Sequence, residues 1–285
     1  MKELFAHAIG NSHALYFGSY FPNFRCYNVG AILAYSLGGK HKGKNHIFNI
    51  LKQIGTNETL LFAFGEIDCR AHLLKQAKKQ NAPIENVVDD CVKSYMRFVK
   101  QVIELGYNDI IIWGVPASSP DSLPPDRKYP RIGSSDERNK ITELFNAGLK
   151  EKCEKLKINF ISIFPELVDD NFEQIQKYYV DQIHLGGKSA KITVKAFKEH
   201  GIKITNKGVK RPEVIKDFYS KERDLKLIAK DLKDRNIPFE QALAEVNFYQ
   251  WRFGVLGKKL KDADLRRLDL VKIELTALYK GDSDG

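Results

Sequence analysis

"DIIIWGV", residues 109–115, is the stretch that decides the fold. From Ile110 to Trp113 the run has no polar interruption, so it reads as a strand buried on both faces. That is the habit of a parallel sheet covered by helices, because a half-solvated strand would alternate apolar and polar side chains. Four more short apolar runs recur around it: "ELFAHAI" (3–9), "FRCYNV" (24–29), "ETLLFAF" (58–64) and "NFISIF" (159–164). Between and after them lie stretches of helical period. In "IENVVDDCVKSYMRFVKQVIELG" (84–106), Val88, Cys91, Val92, Tyr95, Val99 and Val102 share one broad face, and Gly106 supplies the stop. A second helix fits 134–157, where Ser134 or Ser135 is placed to cap the start, and a third fits 186–201. Strand and helix in alternation define a doubly wound α/β domain. In such a sheet, sites lie outside the carboxyl ends of the strands.

The bulk numbers agree. The chain has 285 residues, 43% hydrophobic and 29% charged, which suits a globular protein with a sizeable core. No run approaches the length of a membrane span, and the first residues lack the pattern of a signal peptide, so a cytoplasmic protein is expected. Cys26, Cys69, Cys91 and Cys153 form no C-x-x-C pair and read as reduced thiols rather than a zinc or disulfide framework. The net charge of +10 permits attraction to polyanions, but the lysines are interspersed with acids and make no aromatic-interleaved basic stripe. Nucleic acid is therefore not the expected partner.

After about residue 205 the character changes. Gly208 and Pro212 mark a linker, and three helical stretches follow at 212–235, 238–256 and 261–280. The expected organisation is an α/β domain over 1–204 and a linker with a small helical domain or arm over 205–285. Phe248, Tyr249, Trp251 and Phe253 cannot all face water, so this part is expected to pack on itself, on the first domain, on a partner protein or on a second copy.

Each loop at the carboxyl edge carries chemistry. Gly10, Asn11, Ser12 and His13 follow the first strand, and Asn28 and Gly30 follow the second. Gly65, Glu66, Asp68, Arg70 and His72 follow the third, and Asp181 and His184 precede the last helix. A serine hydroxyl is a poor nucleophile until a histidine takes its proton, and that histidine is held in one tautomer by a carboxylate. Ser12 and His184 lie 172 positions apart, yet the fold brings both to one edge. The Asp181/His184 spacing lets the carboxylate meet one ring nitrogen while the other faces the serine. Asp68 and His72 lack a third ligand nearby, so no metal is expected.

The elements "GNSH" (10–13), Gly30 in "NVGA", "GEID" (65–68) and "DQIH" (181–184) together resemble the SGNH (GDSL-like) hydrolase superfamily over about residues 3–200. The resemblance implies a three-layer α/β/α sandwich with a five-stranded parallel, flavodoxin-like sheet. It also implies Ser12 as nucleophile, His184 as base and Asp181 as orienting acid. The amides of Ser12 and Gly30 would be the oxyanion donors, and no cofactor would be used. Two departures stand out. Asn11 replaces the usual aspartate, and Ile67 replaces the asparagine that supplies a side-chain oxyanion donor, a loss worth ~10²–10³ in turnover. Arg70 is the expected substitute. Asn11, His13, Glu66 and Asp68 are expected to contact substrate or, for the charged members, to brace the loop.

The expected activity is removal of an O-acyl group, acetyl foremost, from a carbohydrate or glycoconjugate through an acyl-serine. Transfer to a sugar hydroxyl is a close variant. The alternatives are a non-catalytic module that binds glycan or scaffolds an assembly and, ranked last for want of a Gly-rich loop, a domain for a phosphorylated ligand.

Overall fold

The computed structural model describes residues 4–124, 130–206 and 262–280. Five strands form one sheet: β1 (Ala6–Gly10), β2 (Phe24–Asn28), β3 (Thr59–Ala63), β4 (Ile110–Trp113) and β5 (Asn159–Ile161). All neighbours are parallel and their order is β2-β1-β3-β4-β5. This is the flavodoxin-like order, whose switch point lies between β1 and β3. The helices are α1 (Leu15–Tyr20), α2 (Ala34–Leu37), α3 (Lys42–Leu51), α4 (Leu73–Gln80), α5 (Ile84–Glu104), α6 (Ser135–Leu156) and α7 (Ala190–Glu199). A π-helical turn, Asp68–His72, leads into α4, and a 3-10 turn, Ser12–Ala14, leads into α1.

Alternation along the strands divides the core into two layers. Ala6 and Ala8, Leu61 and Ala63, Ile111 and Trp113 face α1 and α7, where Phe17 meets Trp113 edge-on at 5.0 Å and Phe197 stacks on the same indole at 6.1 Å. Ile9, Leu60, Phe62 and Ile112 are also fully buried. On that side Phe98 of α5 packs 5.2 Å from Phe62 and 5.8 Å from Phe48 of α3. A sheet covered on both faces is why Ile110–Trp113 reads as an unbroken apolar run.

The predicted spans 84–106 and 134–157 correspond to α5 and α6, and Ser134 is the cap. Its hydroxyl accepts from Glu137 N–H while the Glu137 carboxylate accepts from Ser134 N–H. The short helices α1 to α4 were not predicted individually.

The chain divides into units 1–208 and 209–285. Within the second, Asp262–Lys280 forms helix α8, with Val271 and Leu275 buried. The stretches expected to be helical at 212–235 and 238–256, and the aromatics around Trp251, lie outside the described residues. Among the described residues, no helix is long and apolar enough to cross a membrane.

Candidate active site

Strand register sets the site. Gly10 at the end of β1 pairs with Asn28 at the end of β2 and with Ala63 at the end of β3. The loops carrying Ser12, Gly30 and Glu66 therefore leave the sheet at one level. Gly10 is required there, because a Cβ would lie 2.3 Å from the Ala63 carbonyl oxygen. Gly65 has φ +110°, and a Cβ on it would meet Phe145 at 2.5 Å.

Asn11 caps the 3-10 turn by accepting from His13 N–H through Oδ1 at 3.1 Å. Ser12 thereby becomes the first residue of the turn, a position whose own N–H has no intrahelical acceptor. On the other side of the site, a hairpin-like loop closes by bonds from Val180 N–H to His184 O (2.9 Å) and from Gly186 N–H to Tyr178 O (2.7 Å). Asp181 sits at its tip, and its Oδ1 accepts from the amides of Ile183 (2.9 Å) and His184 (2.8 Å). The loop is anchored where Tyr179 Oη and Gln174 Nε2 both donate to the Ala117 carbonyl.

Across this gap the triad is assembled. Asp181 Oδ2 lies 2.7 Å from His184 Nδ1, and His184 Nε2 lies 2.7 Å from Ser12 Oγ. Burial works against ionisation of Asp181. The ring of His184 and the two backbone N–H groups outweigh it and hold the carboxyl well below the usual carboxylate range. An ionised Asp181 fixes the proton on Nδ1, so Nε2 presents its lone pair to the Ser12 hydroxyl. The arrangement can deprotonate a hydroxyl and hold the imidazolium that results.

The other predicted site residues are placed differently. Asp68 is wholly buried, and its carboxylate accepts from the amides of Ala34 (2.7 Å) and Tyr35 (3.2 Å) at the start of α2. Of the two roles expected from sequence, substrate contact or bracing of the loop, its bonds serve the second: it ties the loop after β3 to the loop after β2. Burial pushes its pKa up to about 6 despite those bonds. Arg70 is likewise taken up. Its Nε bonds Glu66 Oε1 at 2.5 Å, Nη2 reaches Glu66 Oε2 at 3.3 Å, and Nη1 donates to the Pro130 carbonyl. That pairing makes Arg70 a brace of the loop, with three of its five N–H groups engaged inside the protein. Gly30, at φ +90°, has its N–H directed to Asn28 Oδ1 at 3.0 Å, so the second expected oxyanion amide is held by its own turn. An asparagine two residues before a glycine was the signal for that turn.

Glu66 and His13 meet in a way the sequence did not reveal. His13 Nε2 lies 3.5 Å from Glu66 Oε2, and the His13 ring centroid is 5.0 Å from that of His184. Burial opposes charge on Glu66, but His13 and Arg70 pull its pKa down to about 2. Asn11, His13 and Glu66, with Phe64 and Trp113, line a small pocket with room for about one water molecule. The Nδ2 of Asn11 is buried there without a hydrogen-bond partner among the described residues.

Fold and site define an α/β protein with a hydrogen-bonded Ser–His–Asp relay at the switch point of a flavodoxin-like sheet. The chain matches no family model and no curated protein. Among solved structures it is similar to a GDSL-like lipase from Bacteroides thetaiotaomicron, with 15% identity over 68% of this chain and 86% of that one and a TM-score of 0.44. A phospholipase A1 from Streptomyces albidoflavus is similar at 8% identity, covering 70% and 99% of the two chains with a TM-score of 0.39. An extracellular lipase from Streptomyces rimosus is similar at 9% identity, covering 68% and 96% with a TM-score of 0.38.

Proposed function

We propose that this protein is an SGNH-type serine ester hydrolase that removes an O-acyl group, acetyl foremost, from a carbohydrate or glycoconjugate. The observation that carries the reading is the continuous relay from Asp181 through His184 to Ser12, with both bonds at 2.7 Å. Ser12 Oγ attacks the acyl carbon as its proton passes to His184 Nε2. His184 then protonates the departing alcohol oxygen, leaving an acyl-serine. Water, deprotonated by the same nitrogen, attacks the acyl carbon and releases the carboxylic acid and free Ser12. The Ser12 amide is the first oxyanion donor, and the Gly30 amide joins it by exchanging Asn28 Oδ1 for the developing oxyanion. The order of "GNSH", "NVGA", "GEID" and "DQIH" along the chain supports placing it in the SGNH group.

The test is hydrolysis of an aryl acetate by the purified protein beside Ser12→Ala and His184→Ala. Each substitution is expected to lower turnover by ~10³ or more. Turnover that the Ser12→Ala protein retains in full overturns the reading.

A second reading, a non-catalytic module that binds glycan, is favoured by one observation: the Gly30 amide and Arg70 are both engaged within the protein. Addition of acceptor sugars to the same assay separates it from acyl transfer, because only a transferase gains turnover from the acceptor.

A further inference from the structure

Behind the triad stands a second carboxylate–imidazole pair. His13, Glu66 and Arg70 are each less than a tenth exposed and form one chain of contacts. Arg70 grips both oxygens of Glu66, and Glu66 Oε2 faces His13 Nε2 at 3.5 Å. The His13 ring lies against His184 with centroids 5.0 Å apart and planes tilted by 33°. An ionised carboxylate opposite Nε2 favours the proton on that nitrogen. Burial is the main reason the His13 pKa falls below its ordinary value; Glu66 opposes this, while His184 and Arg70 add to it. The groups facing His13 are thus Glu66 and Arg70 on one side and His184, with Asp181 beyond it, on the other.

The consequence concerns the step in which His184 becomes a cation. Two imidazolium ions at this distance would repel each other, and a neutral ring at position 13 removes that competitor. The negative end of the Arg70–Glu66 pair points toward the two rings and favours positive charge on the nearer side. We propose that His13, backed by Glu66 and Arg70, is a positioning residue for His184: a neutral, Nε2-protonated ring that packs the base toward Ser12. This rests on the hydrolase reading above, in which His184 is the base.

The test compares wild type with His13→Phe, which keeps an aromatic ring but loses Nε2, and with Glu66→Gln. The readouts are the pH profile of kcat/KM on an aryl acetate, the split between kcat and KM, and imidazole ¹⁵N shifts. In the wild type, His13 is expected as the Nε2–H tautomer at neutral pH. In Glu66→Gln that tautomer preference is lost, and the acidic limb of kcat/KM moves to lower pH by about half a unit, as expected when a negative charge one ring away is removed. In His13→Phe, kcat falls about tenfold with KM little changed. If Glu66→Gln fails to fold because Arg70 is left buried and unpaired, the double variant Glu66→Gln/Arg70→Gln is read by the tautomer, whose preference is lost there too, while the limb moves less because the two charges removed offset each other.

A merely structural pair would change yield or melting temperature and leave the limb and the tautomer where they were, and that result overturns the proposal. Wild-type activity with an unmoved limb rejects the role of His13 alone. A wild type without Ser12-dependent turnover rejects the hydrolase reading and this proposal with it.

Discussion

His184 Nε2 meets Ser12 Oγ at 2.7 Å although 172 positions separate the two residues. The bond joins the first turn after β1 to a loop entering α7, so its geometry depends on how those two helices are held. Tyr16 of α1 provides part of the hold. Its hydroxyl lies 2.8 Å from Thr193 Oγ1 of α7 and accepts from Ser189 Oγ at 2.8 Å.

Asp181→Asn is expected to leave the fold intact and lower kcat by ~10⁴. The carboxamide oxygen can still accept from the Ile183 and His184 amides. Its NH₂ then faces His184 Nδ1 and imposes the opposite tautomer, which directs a proton at Ser12. Kinetics beside circular dichroism check this, and a loss of less than tenfold would show that tautomer control is not what Asp181 supplies.

Gly10→Ala tests the register that gathers the loops. The new methyl group must displace the Ala63 carbonyl, now 2.3 Å from where it would sit. Overpacking of this kind costs ~1–3 kcal/mol. Because Ser12 follows two residues later, kcat is expected to fall along with the melting temperature.

Asp68 gives a prediction with a sign. Its folded pKa is raised to about 6 from the ordinary 3.8, so between about pH 4 and 6 the folded protein holds a proton that the unfolded chain has released. Stability relative to Asp68→Asn, which cannot ionise, should therefore fall as pH rises through that window and level off above it. Asp68→Ala leaves the Ala34 and Tyr35 amides without their acceptor and should cost ~1–3 kcal/mol at neutral pH. Denaturant titrations at several pH values measure both effects.

The fold was legible where the sequence carries long-range constraint in local form. Strand β4 is apolar at every position because both its faces are covered, and α5 and α6 are long enough for their apolar stripes to stand out. The helices α1 and α2 have too few turns to establish a period, and the π turn at 68–72 has no simple one. Ser12, Asp181 and His184 were legible because each sits beside a strand end or helix start that fixes its direction. For Asp68 and Arg70 the sequence left two roles open, substrate contact or bracing of the loop, for a physical reason. A charged residue in a loop looks available until a partner distant in sequence is known, and their partners are the amides of α2 and the Pro130 carbonyl. The Glu66–His13 contact was hidden in the same way, since 53 positions separate the two residues.

Ile67 is where the resemblance and the chemistry part, and it gives the remaining prediction. The related pattern places an asparagine at this position to donate a side-chain N–H to the oxyanion, and isoleucine has none to give. Arg70 is turned toward Glu66 and the Pro130 carbonyl, which take three of its five N–H groups. The Gly30 amide must also leave Asn28 before it can serve. On the proposed hydrolase reading, Ser12 and His184 are in good order and the oxyanion is under-supported. Ile67→Asn restores the donor and is expected to raise kcat on an aryl acetate about tenfold or more, with KM little changed, out of the ~10²–10³ that such a donor commands where it is native. An unchanged or lower kcat in a folded variant would mean that position 67 does not face the oxyanion and that another group carries this charge.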